Sequence, residues 1–146
     1  MKKIGIGADH GGYRLKETIG NYLREKGYEV VDFGTGSEQS VDYPDYGRAV
    51  AKAVISKEVD RGILCCGTGI GIALAANKVR GIRCANVSDT FSAKMCREHN
   101  DCQMISIGER TVGAGLALEL VEAFLKAEFQ GGRHQSRVEK IMEIED

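Results

Sequence analysis

The side chains of this 146-residue sequence whose spacing could do chemistry are cysteine, histidine and arginine. The densest signal is Cys65-Cys66-Gly67-Thr68-Gly69-Ile70-Gly71. Glycine at every second position lets backbone N–H groups face a ligand, and a helix starting just beyond adds partial positive charge. Such a loop can hold an anion, and it stabilises a thiolate placed there. One segment therefore offers a base, Cys66, and donors for a developing oxyanion. Adjacent strand residues point to opposite faces, so Cys65 reads as the core neighbour of Cys66. The competing reading is a plain glycine turn with two buried cysteines. A phosphatase-type loop would need Arg at position 72, which is Ile72, and the Gly-Lys-Ser/Thr of a P-loop is absent. Gly5-x-Gly7-x-x-His10 carries His where a dinucleotide fingerprint has its third glycine.

Three histidines are present, His10, His99 and His134. His10 and His99 fall at predicted element ends on the expected active edge of the fold, which raises them above a surface or core role. Arg133 and Arg137 are four residues apart and share a helix face. Arg133 opens that helix, where the dipole disfavours a cation unless an anion binds. Two guanidinium forks suit a phosphate. A solvated basic face extended by Lys140 fits the same spacing. Cys96, His99 and Cys102 straddle a helix end and make a poor metal set, so no metal is expected.

These residues must be positioned by a regular alternation. Short apolar runs at 3–8, 28–33, 62–66, 84–87 and 104–107 read as strands. Amphipathic runs at 12–26, 45–56, 70–79, 90–98 and 112–128 read as helices, and a last helix covers about 134–144. In these helices Leu15, Ile19, Tyr22 and Leu23, then Val50, Ala53 and Val54, then Leu116, Leu120 and Phe124 are expected inward. The pattern predicts a single α/β domain over 1–146, a Rossmann-like three-layer α/β/α fold with a five-stranded parallel sheet. Ligands of such sheets bind beyond the carboxyl ends of the strands. The last helix must bury Val138, Ile141 and Met142, and docking on a partner subunit would do so.

Net charge is −1, with 20 basic and 21 acidic residues, which argues against nucleic acid or a membrane surface as partner. No apolar stretch approaches the roughly 18 residues of a membrane span. Five cysteines, an odd number, and no secretory leader favour a reduced cytoplasmic setting.

The motifs resemble the family of ribose-5-phosphate isomerase B and galactose-6-phosphate isomerase subunits. The resemblance rests on Gly7-Ala8-Asp9-His10-Gly11-Gly12, Val41-Asp42-Tyr43-Pro44-Asp45, Cys66-Gly67-Thr68-Gly69-Ile70-Gly71 and Ala75-Ala76-Asn77-Lys78. It continues through Gly81-Ile82-Arg83, Arg97-Glu98-His99-Asn100-Asp101, Gly108-Glu109-Arg110 and Gly131-Gly132-Arg133-His134, essentially the whole chain. It implies a homodimer, sometimes paired into a tetramer, with active sites built from both subunits and no metal or organic cofactor. It implies that Cys66 abstracts the proton and that His99 helps open the furanose ring. Asp9, His10 and Asn100 would touch substrate, and Gly67, Gly69, Ile70 and Gly71 would surround its reacting end. Arg110, Arg133 and Arg137 would grip it, chiefly by its phosphate. The reaction expected is interconversion of ribose 5-phosphate and ribulose 5-phosphate through an enediolate, with Thr68 and loop N–H groups on the oxyanion. The alternatives are an isomerase of allose or galactose 6-phosphate, and a non-catalytic sugar-phosphate or nucleotide sensor. Cys65 stands where the family usually has an aliphatic residue, and its adjacency to Cys66 raises the question of sensitivity to oxidation.

Overall fold

A computed structural model describes residues 2–146. Five strands, β1 (Lys3–Ala8), β2 (Glu29–Asp32), β3 (Arg61–Cys66), β4 (Cys84–Asn86) and β5 (Met104–Gly108), form one parallel sheet in the order β2-β1-β3-β5-β4. Parallel neighbours require crossovers, and helices supply them. These are α1 (Tyr13–Glu25), α2 (Tyr43–Ile55), α3 (Ile70–Asn77) and α4 (Thr90–Glu98), followed by α5 (Ala114–Lys126) and α6 (Arg133–Glu143). The expected fold class is the one observed, with element ends displaced by one to two residues.

The two-residue period of the strands divides the core into two layers. Ile4, Ile6 and Ala8 of β1, Ile63 and Cys65 of β3, and Ile105 and Ile107 of β5 face α1, α4 and α5. Leu64 and Cys66 of β3 and Met104 of β5 face α2 and α3. On that second face β1 offers glycine: a Cβ at Gly7 would lie 2.7 Å from Val50 Cγ2. The bare backbone lets α2 lie directly on β1, over the middle of the sheet.

Three inward assignments differ from the pattern. Leu116 is 39% exposed, because the buried stripe of α5 runs through Ala117, Leu120, Val121, Phe124 and Leu125. In α1 the buried set is Leu15, Lys16, Ile19, Gly20 and Leu23, so the buried stripe extends to Lys16 and Gly20 and leaves Tyr22 half-buried at its margin. The Lys16 stem is enclosed while its ammonium meets Asp32 at 2.7 Å and Glu17 at 2.8 Å. In α6, Val138 is buried and the Met142 sulfur accepts a hydrogen bond from Arg83 at 3.1 Å, yet Ile141 is 46% exposed. Packing of α6 on its own chain therefore covers only part of its apolar side.

Phe124 is fully enclosed in the larger layer. Phe124→Ala should lower unfolding free energy by about 3–5 kcal/mol, read by urea denaturation. A change below about 1 kcal/mol would contradict this layer as the main core.

Candidate active site

The strand order reverses between β1 and β3, with α1 on one face and α2 on the other. Ligand crevices form at such switch points. The loops that follow the two strands meet there backbone to backbone. A Cβ at Gly12 would stand 2.3 Å from the Cys65 carbonyl carbon, and one at Gly11 3.3 Å from the Gly67 nitrogen. Buried Asp9 braces the first loop: its Oδ1 accepts from the N–H groups of Gly11 at 2.9 Å and Gly12 at 3.2 Å. His10 is held by the loop ahead of α2, with Nδ1 accepting from the Val41 N–H at 3.1 Å. A neutral His10 ring bonded in this way carries its proton on Nε2.

Cys66 ends β3 with its side chain 5% exposed, and its Sγ accepts the Gly69 N–H at 3.1 Å. The donor is aimed by an unusual backbone. Gly69 has φ +80°, and a Cβ there would collide with Asn86 Oδ1 at 2.7 Å and the Ile107 carbonyl carbon at 2.9 Å. The Ser106 hydroxyl, fully buried on β5, donates to the Gly69 carbonyl at 2.6 Å and locks that peptide. Exposed Thr68 turns its Oγ1 to accept the Ile70 N–H at 3.2 Å at the start of α3. Ile70 itself is 53% exposed. Arg110 is anchored to the same loop, since its N–H donates to the Gly67 carbonyl at 3.0 Å. Asp9, His10, Cys66, Gly67, Thr68, Gly69, Ile70, Gly71 and Arg110 are thus brought together at one sheet edge.

Cys65 lies on the other side of the sheet, where burial pushes its thiol up and favours the protonated form. Two sulfurs on opposite faces do not confront one another, so adjacency in sequence does not make Cys65 and Cys66 a redox pair. Two groups escaped the sequence reading. The Tyr43 ring lies over Gly71, where a Cβ would be 2.6 Å from its Cε1, and it is 42% exposed beside the loop. Its signal was the Asp42-Tyr43-Pro44 motif, which carried no assigned role. Glu109 donates its N–H to the Cys66 carbonyl at 2.9 Å, and its carboxylate accepts the Leu15 N–H at 2.8 Å. It ties the first turn of α1 to the end of β3.

The expectation that His99 shares this edge with His10 does not hold within one chain. α4 returns antiparallel to the strands and ends at the edge where they begin. Arg83, just before β4, donates to the Asn100 carbonyl at 3.0 Å and to the Asp101 carbonyl at 2.8 Å. The six residues of β3 separate the two edges by roughly 20 Å. His99 and Asn100 are instead joined there by the start of α6. Gln130 clamps Glu98 through its N–H at 3.0 Å and its side chain at 2.7 Å. Arg133 and Arg137 follow on exposed turns of α6, and the His134 ring stacks on His99. The expected site residues therefore fall into two groups at opposite edges of the sheet, candidate halves of a site: a thiol half and a histidine–arginine half.

A parallel α/β sheet with a cysteine and a glycine loop at its switch point is an architecture that binds small molecules at that edge. The profile of the family described as ribose/galactose isomerase matches residues 4–141. The chain belongs to that family, and it is an isomerase. Ribose-5-phosphate isomerase B of Escherichia coli is 52% identical over 145 residues, covering 99% of this chain and 97% of the relative. The solved ribose-5-phosphate isomerase B of Clostridium thermocellum superposes with a TM-score of 0.97 at 61% identity, covering 98% of this chain and 97% of that one. The Mycoplasma genitalium enzyme of the same name, solved with bound ribulose-5-phosphate, gives 0.93 at 40% identity, covering 98% and 95%.

Ser106→Ala would leave the buried Gly69 carbonyl without its donor. Stability should fall by about 1–3 kcal/mol in urea, with faster amide exchange at Gly69. Unchanged exchange at Gly69 would show that the hydroxyl does not hold this peptide.

Proposed function

We propose that this protein interconverts ribose 5-phosphate and ribulose 5-phosphate through an enediolate, with Cys66 as the base. The observation that carries the proposal is the Cys66 sulfur at the switch point, under the Gly69 N–H at 3.1 Å. That donor fixes the position of the sulfur that is to take the proton. The thiolate removes the proton beside the substrate carbonyl and returns it to the neighbouring carbon. As the proton leaves, negative charge gathers on the carbonyl oxygen, and loop N–H groups with the Thr68 hydroxyl are placed to receive it. Because the free sugar is mainly a furanose, its ring must open first. The His99 imidazole takes the O1 proton, the C1–O4 bond breaks with its pair on O4, and the ring returns the proton to O4. Asp9, His10 and Asn100 hold hydroxyls, and Arg110, Arg133 and Arg137 bind the phosphate, which positions the reacting carbons.

This chemistry needs both half-sites within one substrate length, and a second copy supplies the missing half. A two-fold that sets the loop edge of one chain against the opposite edge of its partner does so twice. The surface supports such a pairing. α3 is apolar on all sides, and its outward Ile70 and Leu74, 53% and 62% exposed, stand one turn apart beside the thiol loop. A helix apolar all round is normally covered. Ile144 at the other edge, 83% exposed, offers apolar area to the same partner, which gives the α6 end a second surface to dock on. The reading is of a homodimer in a reducing cytoplasm. All five cysteines are free, and among the described residues no helix is long and apolar enough to cross a membrane.

Purified protein should turn over ribose 5-phosphate faster than allose 6-phosphate or galactose 6-phosphate. Cys66→Ala should lower kcat by about 10²-fold or more with substrate still bound. Arg137→Ala should act mainly on KM. Near-normal turnover in Cys66→Ala would remove the thiol from the mechanism. A six-carbon preference would reassign the substrate, and tight nucleotide binding without turnover would favour a sensor.

A further inference from the structure

His134 has no part in the chemistry described above, yet it makes the closest aromatic contact in the second half-site. Its ring stacks on that of His99 with centroids 4.1 Å apart and planes within 9°. The stack has a rigid base. The Gln130 clamp on Glu98 fixes the approach to α6, and the His134 N–H donates to the Gly131 carbonyl at 3.0 Å. Gly131 and Gly132, with φ +64° and +56°, make the turn that swings the ring across. His99 itself closes α4 through its backbone N–H to the Met95 carbonyl at 2.8 Å, so only its side-chain torsions need fixing.

We propose that His134 is a positioning residue for ring opening, its face holding the His99 imidazole in the plane that reaches O1 and O4. This rests on His99 as the ring-opening group. A shuttle between two oxygens on one carbon requires a fixed ring plane, because each ring nitrogen is directional. A face-to-face neighbour provides that without occupying either nitrogen of His99. Partial desolvation, His99 itself and the adjacent Arg133 and Arg137 all push the His134 pKa down. The neutral ring this favours stacks without adding a cation against its neighbour.

The two substrates separate this role from a general structural one. Ribose 5-phosphate is presented as a ring, whereas ribulose 5-phosphate cannot close a furanose because its O5 carries the phosphate. Removal of its C1 proton by the thiolate and return of a solvent-derived proton therefore need no ring step, so exchange of that hydrogen with deuterium oxide reports the enediolate step alone. His134→Ala should lose about tenfold or more in the rate of ketose formation from ribose 5-phosphate, while exchange of the C1 hydrogen of ribulose 5-phosphate with deuterium oxide stays within about twofold of wild type. His134→Phe, which keeps a flat stacking face, should recover most of the aldose rate. Equal losses in turnover and in C1 exchange would mark a folding or phosphate-binding defect and overturn the proposal, as would an unaffected aldose rate in His134→Ala. His99→Ala is the control. If it too acts normally on ribose 5-phosphate, the assignment of His99 fails first. If it shows the split and His134→Ala does not, only the role of His134 falls.

Discussion

In a parallel sheet every strand ends at one edge, and every returning helix ends at the other. That constraint governs the site of this protein. Cys66 closes β3 and His99 closes α4, so one chain holds them roughly 20 Å apart. No side-chain rotation bridges such a gap. The reaction proposed therefore turns a property of each fold into a requirement for two, and the exposed Ile70 and Leu74 of α3 are apolar surface that such a second copy would cover.

Within the thiol half, geometry comes from places where a side chain would not fit. Gly12 lets one loop lie on the backbone of Cys65, and Gly69 turns its N–H onto the Cys66 sulfur. Ser106 then fixes the Gly69 peptide from beneath, and Glu109 ties α1 to the same strand end. The loop is preorganised by contacts with its neighbours on three elements. A preorganised donor set costs no rearrangement when charge develops, which is the advantage a proton-transfer site needs.

Much of this was legible in the sequence because periodicity and glycine spacing act locally. Alternating runs predicted five parallel strands, and the residue parity of β3 separated Cys65 from Cys66 before any fold was drawn. Side-chain identity at a distance was harder. Lys16 sits at a core-facing position with its charge taken by its neighbour Glu17 and by Asp32, sixteen residues away. Ser106 reads as an ordinary strand residue until the Gly69 carbonyl is placed against it. His99 was put on the wrong edge because a helix end and a strand end look alike in one dimension. The direction of the returning helix decides which edge each occupies.

The most direct test of a site shared between two copies is complementation. Cys66→Ala and His99→Ala proteins, each inactive on ribose 5-phosphate alone, would be mixed, dissociated and reassociated. Random pairing makes half of the dimers hybrid, and each hybrid holds one intact site, so activity should return to roughly a quarter of wild type. Activity that stays at the level of the separate variants, with hybrids confirmed by native mass spectrometry, would contradict the two-chain site.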